Sequence, residues 1–156
     1  MSTTAQSLGQ NARADIAEAL NQSLAELQVT TSMAQTFHWN VKGMAFGPLH
    51  ALFQEIYEDH FAGQDDLAER VRAIGAHAGG KLADAVARAS VSDHDGNGPA
   101  EDLVRALAEA EEIMAQVLAT TADVADQHGD LITQDLCIAR GSLHEKFAWM
   151  LKAHLG

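Results

Sequence analysis

One cysteine, Cys137, stands among 156 residues, so no disulfide can close within the chain and a reducing compartment is expected. Proline is nearly as scarce: Pro48 and Pro99 are the two, which leaves long stretches without a helix breaker. Aromatic residues reach 5%, while Ala, Leu, Glu and Asp recur throughout, a balance that favours packed helices over sheets. Bases are few as well, with 10 Lys plus Arg against 22 Asp plus Glu and a formal net charge of −12. A surface that acidic repels phosphate backbones and attracts cations. No uninterrupted apolar run reaches membrane-spanning length, and the opening MSTTAQSLGQNARADIAEAL lacks an apolar leader core. A soluble, cytoplasmic protein is expected. With 47% hydrophobic residues the chain can bury the core of a single domain over 1–156, with about 1–10 as a flexible N-terminal tail.

Four segments carry helical periodicity. In the first, Ile16, Leu20, Leu24, Leu27, Thr31, Ala34 and His38 follow alternating steps of three and four. The second runs from about Pro48 to about Ala76 along Leu49, Phe53, Ile56, His60, Gly63, Leu67, Val71 and Ile74. The third begins near Pro99, with Glu101 and Asp102 in its first turn, and carries Leu103, Leu107, Ala110, Met114, Val117 and Val124. Gly129 breaks the pattern, and the last helix is read along Leu131, Leu136, Ala139, Leu143, Trp149 and Met150. The long connection between the second and third helices includes GGKLADAVARAS, long enough for a short extra helix. The fold class is therefore all-α: a four-helix bundle with a long crossover, the connectivity of a ferritin-like bundle.

The stretch FHWNVKGMAFGPLH places His38 and His50 on either side of a short turn marked by Gly43 and Gly47. One residue off the core stripe of the second helix lies a polar row: His50, Gln54, Asp65 and Glu69. Asp65 and Glu69 are four apart and share a face, and imidazole with carboxylate suits iron, manganese or zinc. Fifteen residues of helix separate His50 from Asp65, roughly 22 Å, so one ion cannot touch both in one straight helix. A two-fold axis across the helix near Glu58 and Asp59 would bring His50 of one copy beside Asp65 and Glu69 of another, making two equivalent sites. The same residues also read without a metal. His38 lies on an apolar stripe, where a hydrogen-bonded core histidine is common, and Asp65, Asp66, Glu69 and Arg70 can form a solvated charged face.

FHWNVKGMAFGPLHALF followed by DDLAERVRAIG resembles the Dps family, the mini-ferritins named as DNA-binding proteins from starved cells. Four helices, the long crossover and the closing KFAWMLKAHL extend the likeness over most of the chain. The resemblance implies a shell of twelve subunits with three-fold and two-fold contacts. It implies iron storage, with Fe(II) oxidised by peroxide or oxygen at centres shared between subunits and ferric mineral deposited inside. It makes His38 and His50 of one subunit, with Asp65 and Glu69 of its neighbour, the iron ligands, and Trp39 the tryptophan beside them. Gln54 departs from the pattern, which places an acid there, so one iron position should bind less tightly, and zinc becomes an alternative occupant. Asp126, Asp130 and Asp135 resemble the acidic lining of an iron-entry pore, although Asp130 also stands where a helix N-cap is expected. Glu55, Glu58, Asp59 and Asp84 are candidate inner-surface acids. None of the eight histidines follows a glutamate by three residues, so a di-iron site inside one bundle has little support. Lacking basic tails, the chain should bind DNA poorly. An architectural DNA-protecting protein and an oligomer with structural zinc or an inactive centre are the competing readings.

Overall fold

The computed structural model describes residues 4–156. After a 3-10 turn at Ala5–Ser7 come α1 (Gln10–Asn40), α2 (Phe46–Ala73), α3 (Leu82–Arg88), α4 (Ala100–Gln127) and α5 (Leu131–Ala153). Among the described residues there is no strand, and no helix is long and apolar enough to cross a membrane. Four long helices and one short helix in the crossover are what the periodicity predicts. Of the tail expected over 1–10, residues 1–3 lie outside the described residues, while Leu8 is already buried against the bundle.

Local chemistry sets the helix ends. Gly75 and Gly129 adopt positive φ of 88° and 71° just past α2 and α4. In each case the next amide turns back to the helix: Ala76 N–H donates to the Val71 carbonyl and Asp130 N–H to that of Ala125. These are Schellman closures, which glycine enters without a Cβ penalty. Pro99 caps α4 rather than occupying its first turn, and Glu101 and Asp102 sit in that first turn as expected.

α1 packs on α2 and α4, α4 packs on α5, and α3 lies across α1. Every residue of the predicted α1 and α2 stripes is buried. In α5 the prediction is out of phase. Thr133, Cys137, Arg140, His144, Phe147, Ala148 and Leu151 face inward, while Leu131 and Trp149 are exposed. Leu136 and Met150 of the predicted stripe pack only partly against the core, and the fully buried face is disguised by an arginine and a histidine.

The crossover is tied to α1 by polar contacts. Arg13 donates to the Ile74 carbonyl, and the Asn21 side chain bonds the His77 carbonyl and the Gly79 amide. Fully buried Glu26 accepts from the Ser90 amide, the Ser90 hydroxyl and the Val91 amide. Glu26→Ala would strip these donors of their acceptor, and a loss of about 2 kcal/mol is expected from the unpaired groups. A urea midpoint unchanged from the wild type would show that the crossover is held by other contacts.

Candidate metal centre

His38 lies in the last turn of α1 and His50 in the first turns of α2. The connection between the helices is short, with Gly43 at φ 103°, and it folds the two rings face to face. Their centroids are 3.7 Å apart with planes inclined by 14°. Each Nδ1–H donates to the backbone carbonyl of the other residue, both at 2.7 Å. A carbonyl can only accept, so each Nδ1 carries a proton, and Nε2 is the nitrogen of each ring left to offer a lone pair to a metal. This is the orientation of metal-binding histidines, whose second nitrogen is anchored by a carbonyl or carboxylate. Phe46 stacks on His50 at 4.9 Å and Tyr57 meets His38 edge-on at 5.4 Å, which holds the pair from both sides.

The carboxylates are elsewhere. α2 runs unbroken through Asp65 and Glu69, both exposed, so they stand roughly 22 Å and more along the axis from His50. Within one chain His38 and His50 are brought together, and Asp65 and Glu69 are not brought to them. Gln54, one turn after His50, donates from Nε2 to Glu58 Oε1 at 2.8 Å. Its amide nitrogen is thereby committed, and only the amide oxygen is free to face a cation. Trp39 is 67% exposed beside the pair.

Asp130 is fully buried and serves as the cap of α5. Oδ1 accepts from the Thr133 amide and from Arg70, and Oδ2 accepts from the Thr133 hydroxyl. Asp130 is thus buried in a capping and ion-pair role within the chain, whereas Asp126 and Asp135 are exposed. Asp59 likewise departs from an inner-surface role, because it is ion-paired into the bundle; Glu55, Glu58 and Asp84 are exposed.

A second constellation went unforeseen in the sequence. His60 of α2, Glu111 of α4 and His144 of α5 are each fully buried, and their donor atoms lie within 4.8 Å of one another. Glu111 bridges the rings, with His60 Nε2 at 2.6 Å from Oε1 and His144 Nδ1 at 2.5 Å from Oε2. His60 Nδ1 meets Asp59 at 3.1 Å, and Arg140 grips Asp59 through both amino groups at 3.2 and 2.8 Å. Arg140 Nη2 also donates to His144 Nε2 at 3.1 Å. Of the four, only His60 lies on a stripe read from the sequence; Glu111, Arg140 and His144 share the buried faces of α4 and α5, where a charged or imidazole side chain masks the apolar pattern.

The hydrogen bonds assign the protons. Arg140 only donates, so His144 Nε2 accepts, and its proton is on Nδ1, given to Glu111. His60 faces a carboxylate with each nitrogen and holds both protons. Charges on Asp59, Glu111, His60 and Arg140 then cancel. Burial alone would lower the His60 pKa, but Glu111 and Asp59 outweigh it and raise it. Burial, with no compensating second carboxylate, lowers that of His144. Burial works to raise Glu111, yet the two imidazoles bring it down to about 2, and His60 and Arg140 likewise hold Asp59 well below the usual carboxylate range.

Over residues 17–156 the chain matches the family model of the ferritin-like domain. General stress protein 20U of Bacillus subtilis is 35% identical over 139 residues, covering 89% of this chain and 96% of that protein. The DNA protection during starvation protein of Brevibacillus brevis is 34% identical, covering 90% and 94%. Among solved structures, a Dps protein from Vibrio cholerae superposes with a TM-score of 0.93 at 29% identity, covering 100% of this chain and 98% of that one. That protein is described as a member of a broad superfamily of ferritin-like diiron-carboxylate proteins. A Dps protein from Bacillus brevis gives 0.91 at 32% identity, covering 96% and 100%. A helical bundle with a long crossover and a paired-histidine turn is thus a ferritin-like protein. Within that class the chain belongs to the Dps family.

The buried network fixes a pH dependence. His60, with its raised pKa, contributes fully below its unfolded value of 6.5, and this is lost as pH rises through the folded value. His144, held neutral, opposes folding increasingly as pH falls below 6.5, and Glu111 loses its contribution between 4.5 and about 2. Stability should therefore peak near pH 6.5, with a limb of up to about 1.4 kcal/mol per pH unit for each proton. Urea midpoints from pH 4 to 9 test this, and His60→Gln should flatten the alkaline limb. An unchanged alkaline limb would mean that His60 is not the group responsible.

Proposed function

We propose that the chain is an iron-storing ferroxidase whose centres form between two copies, His38 and His50 coming from one and Asp65 and Glu69 from the other. The observation that carries this reading is the reciprocal histidine pair, whose free Nε2 atoms make half of a ligand set. The matching carboxylates stand far along the same helix, where they can serve only a second molecule. Phe61, near the middle of α2, is 46% exposed, as a contact face along this helix would require. On this reading the assembly has twelve subunits, with Asp126 and Asp135 at the three-fold iron entry.

Ferrous iron is the substrate. The Nε2 lone pairs hold it, and the carboxylates of the second copy lower its charge and favour the ferric product. Each peroxide takes one electron from each of two ferrous ions, consumes two protons and leaves as two waters; oxygen is the alternative acceptor. Gln54 supplies a neutral oxygen where the family has an acid, so the second iron is held more weakly. No observation favours zinc over iron, since the structural relative is described as a diiron-carboxylate protein. The reading also places the protein in the cytoplasm.

Complementation gives a direct test. Neither His50→Ala chains nor Asp65→Ala/Glu69→Ala chains should oxidise Fe(II) rapidly alone. Mixed assemblies should recover about a quarter of the wild-type rate, because a mixed two-fold pair rebuilds one of its two centres and about half of random pairs are mixed. No recovery in verified mixed oligomers would exclude a shared centre. DNA is not a partner on this reading despite the naming of the relatives, because the net charge of −12 opposes phosphate. In a gel shift at about 150 mM salt, no retardation is expected, and a retarded band would overturn that part.

A further inference from the structure

We propose that the centre of the bundle is a metal site held shut by one side chain: the Arg140 guanidinium, donating to His144 Nε2, keeps a proton on the His144 nitrogen that the His60–Glu111–His144 cluster would have to offer, and so keeps the core free of metal. This stands apart from the reading of the subunit interface and rests on different residues.

Two imidazoles and one carboxylate on three helices form a donor set suited to a divalent transition ion. For such an ion to bind, His60 must offer Nε2 and keep its remaining proton on Nδ1, where Asp59 already accepts it. That half of the arrangement is in place. His144 must offer Nδ1 and move its proton to Nε2. There Arg140 Nη2 stands at 3.1 Å with its own proton directed at the same nitrogen. Two donors cannot share one bond, so His144 is locked in the tautomer that turns a proton, not a lone pair, toward Glu111. A guanidinium stays protonated at any ordinary pH, so a dication would also enter against a fixed positive charge.

The fold makes room for this arginine. Gly63 of α2 lies beneath it, and a Cβ at that position would fall 2.6 Å from Arg140 Cζ. Glycine inside a helix costs stability relative to alanine, and here it admits the guanidinium. Arg140 Nε is buried without a hydrogen-bond partner, the one such side-chain atom found among the described residues. The guanidinium therefore keeps its place despite an unsatisfied donor, fixed by Asp59 and His144.

Cobalt(II) is the probe, because its visible absorption reports nitrogen ligation. In a chain carrying Asp65→Ala and Glu69→Ala, the intact core should take up no cobalt that Glu111→Gln removes. Adding Arg140→Met frees His144 Nε2 to carry the proton. One extra cobalt per chain should then appear, releasing one proton and disappearing again with Glu111→Gln. Arg140→Met/Asp59→Asn removes one charge of each sign and serves if the single change does not fold. A folded arginine variant that gains no cobalt overturns the proposal. So does cobalt bound through Glu111 with Arg140 in place, a result that needs no arginine variant at all.

Discussion

The bundle depends on a set of ion pairs that cuts its hydrophobic core in two. One apolar cluster gathers Phe37, Phe53, Leu103, Leu107 and Phe147, and the other gathers Ile16, Leu20, Leu67, Val71, Met114 and Leu118. Along α2, α4 and α5 the residues between the two clusters are His60, Glu111, Arg140 and His144. Apolar side chains could slide past one another by a turn at modest cost. A carboxylate bridging two imidazoles cannot, because a shift leaves buried charge unpaired. The polar layer thereby fixes the register of three helices, and the register fixes what the outer face of α2 presents.

That outer face carries the candidate chemistry. The histidine turn at one end and the acids at the other keep their separation only while α2 stays straight and unbroken from Phe46 to Ala73. Its midpoint is anchored from within by Asp59 and His60, next to where a two-fold axis must pass if the ends of two such helices are to meet. The inner network holds the middle of α2, and the candidate half-sites stand toward its two ends. One rigid element serves both, and half-sites at its ends are useful only because its length is fixed.

Much of this was legible in the sequence. The α1 and α2 stripes, the crossover with its short helix and the glycine that ends α4 follow from periodicity and backbone sterics. The histidine turn was found because two imidazoles flanking a short, glycine-marked connection have few arrangements open to them. The reciprocal hydrogen bonds, by contrast, depend on the path of five residues that no pattern specifies. α5 was misphased for a physical reason. Pattern reading takes apolar residues as inward, and here Leu131 and Trp149 face outward while Arg140 and His144 face inward. Their charges are cancelled by residues on other helices, and a pattern confined to one segment cannot see such partners. Asp130 showed the opposite case, since capping is local and its spacing to Thr133 could be read directly.

The two histidine constellations of this chain invert one another. At the turn, each ring gives its Nδ1 proton to a backbone carbonyl, which leaves Nε2 as the nitrogen available to a ligand. In the core, each ring is answered on both nitrogens, by carboxylates for His60 and by a carboxylate and a guanidinium for His144. A site whose charges already cancel gains little from a cation, while a pair of unanswered lone pairs at a surface gains much from one. On the proposed reading a metal goes to the end of α2 for that reason, even though the core holds more donor atoms in one place. Ligand type alone does not decide where a metal goes; the protons and cations already in residence do.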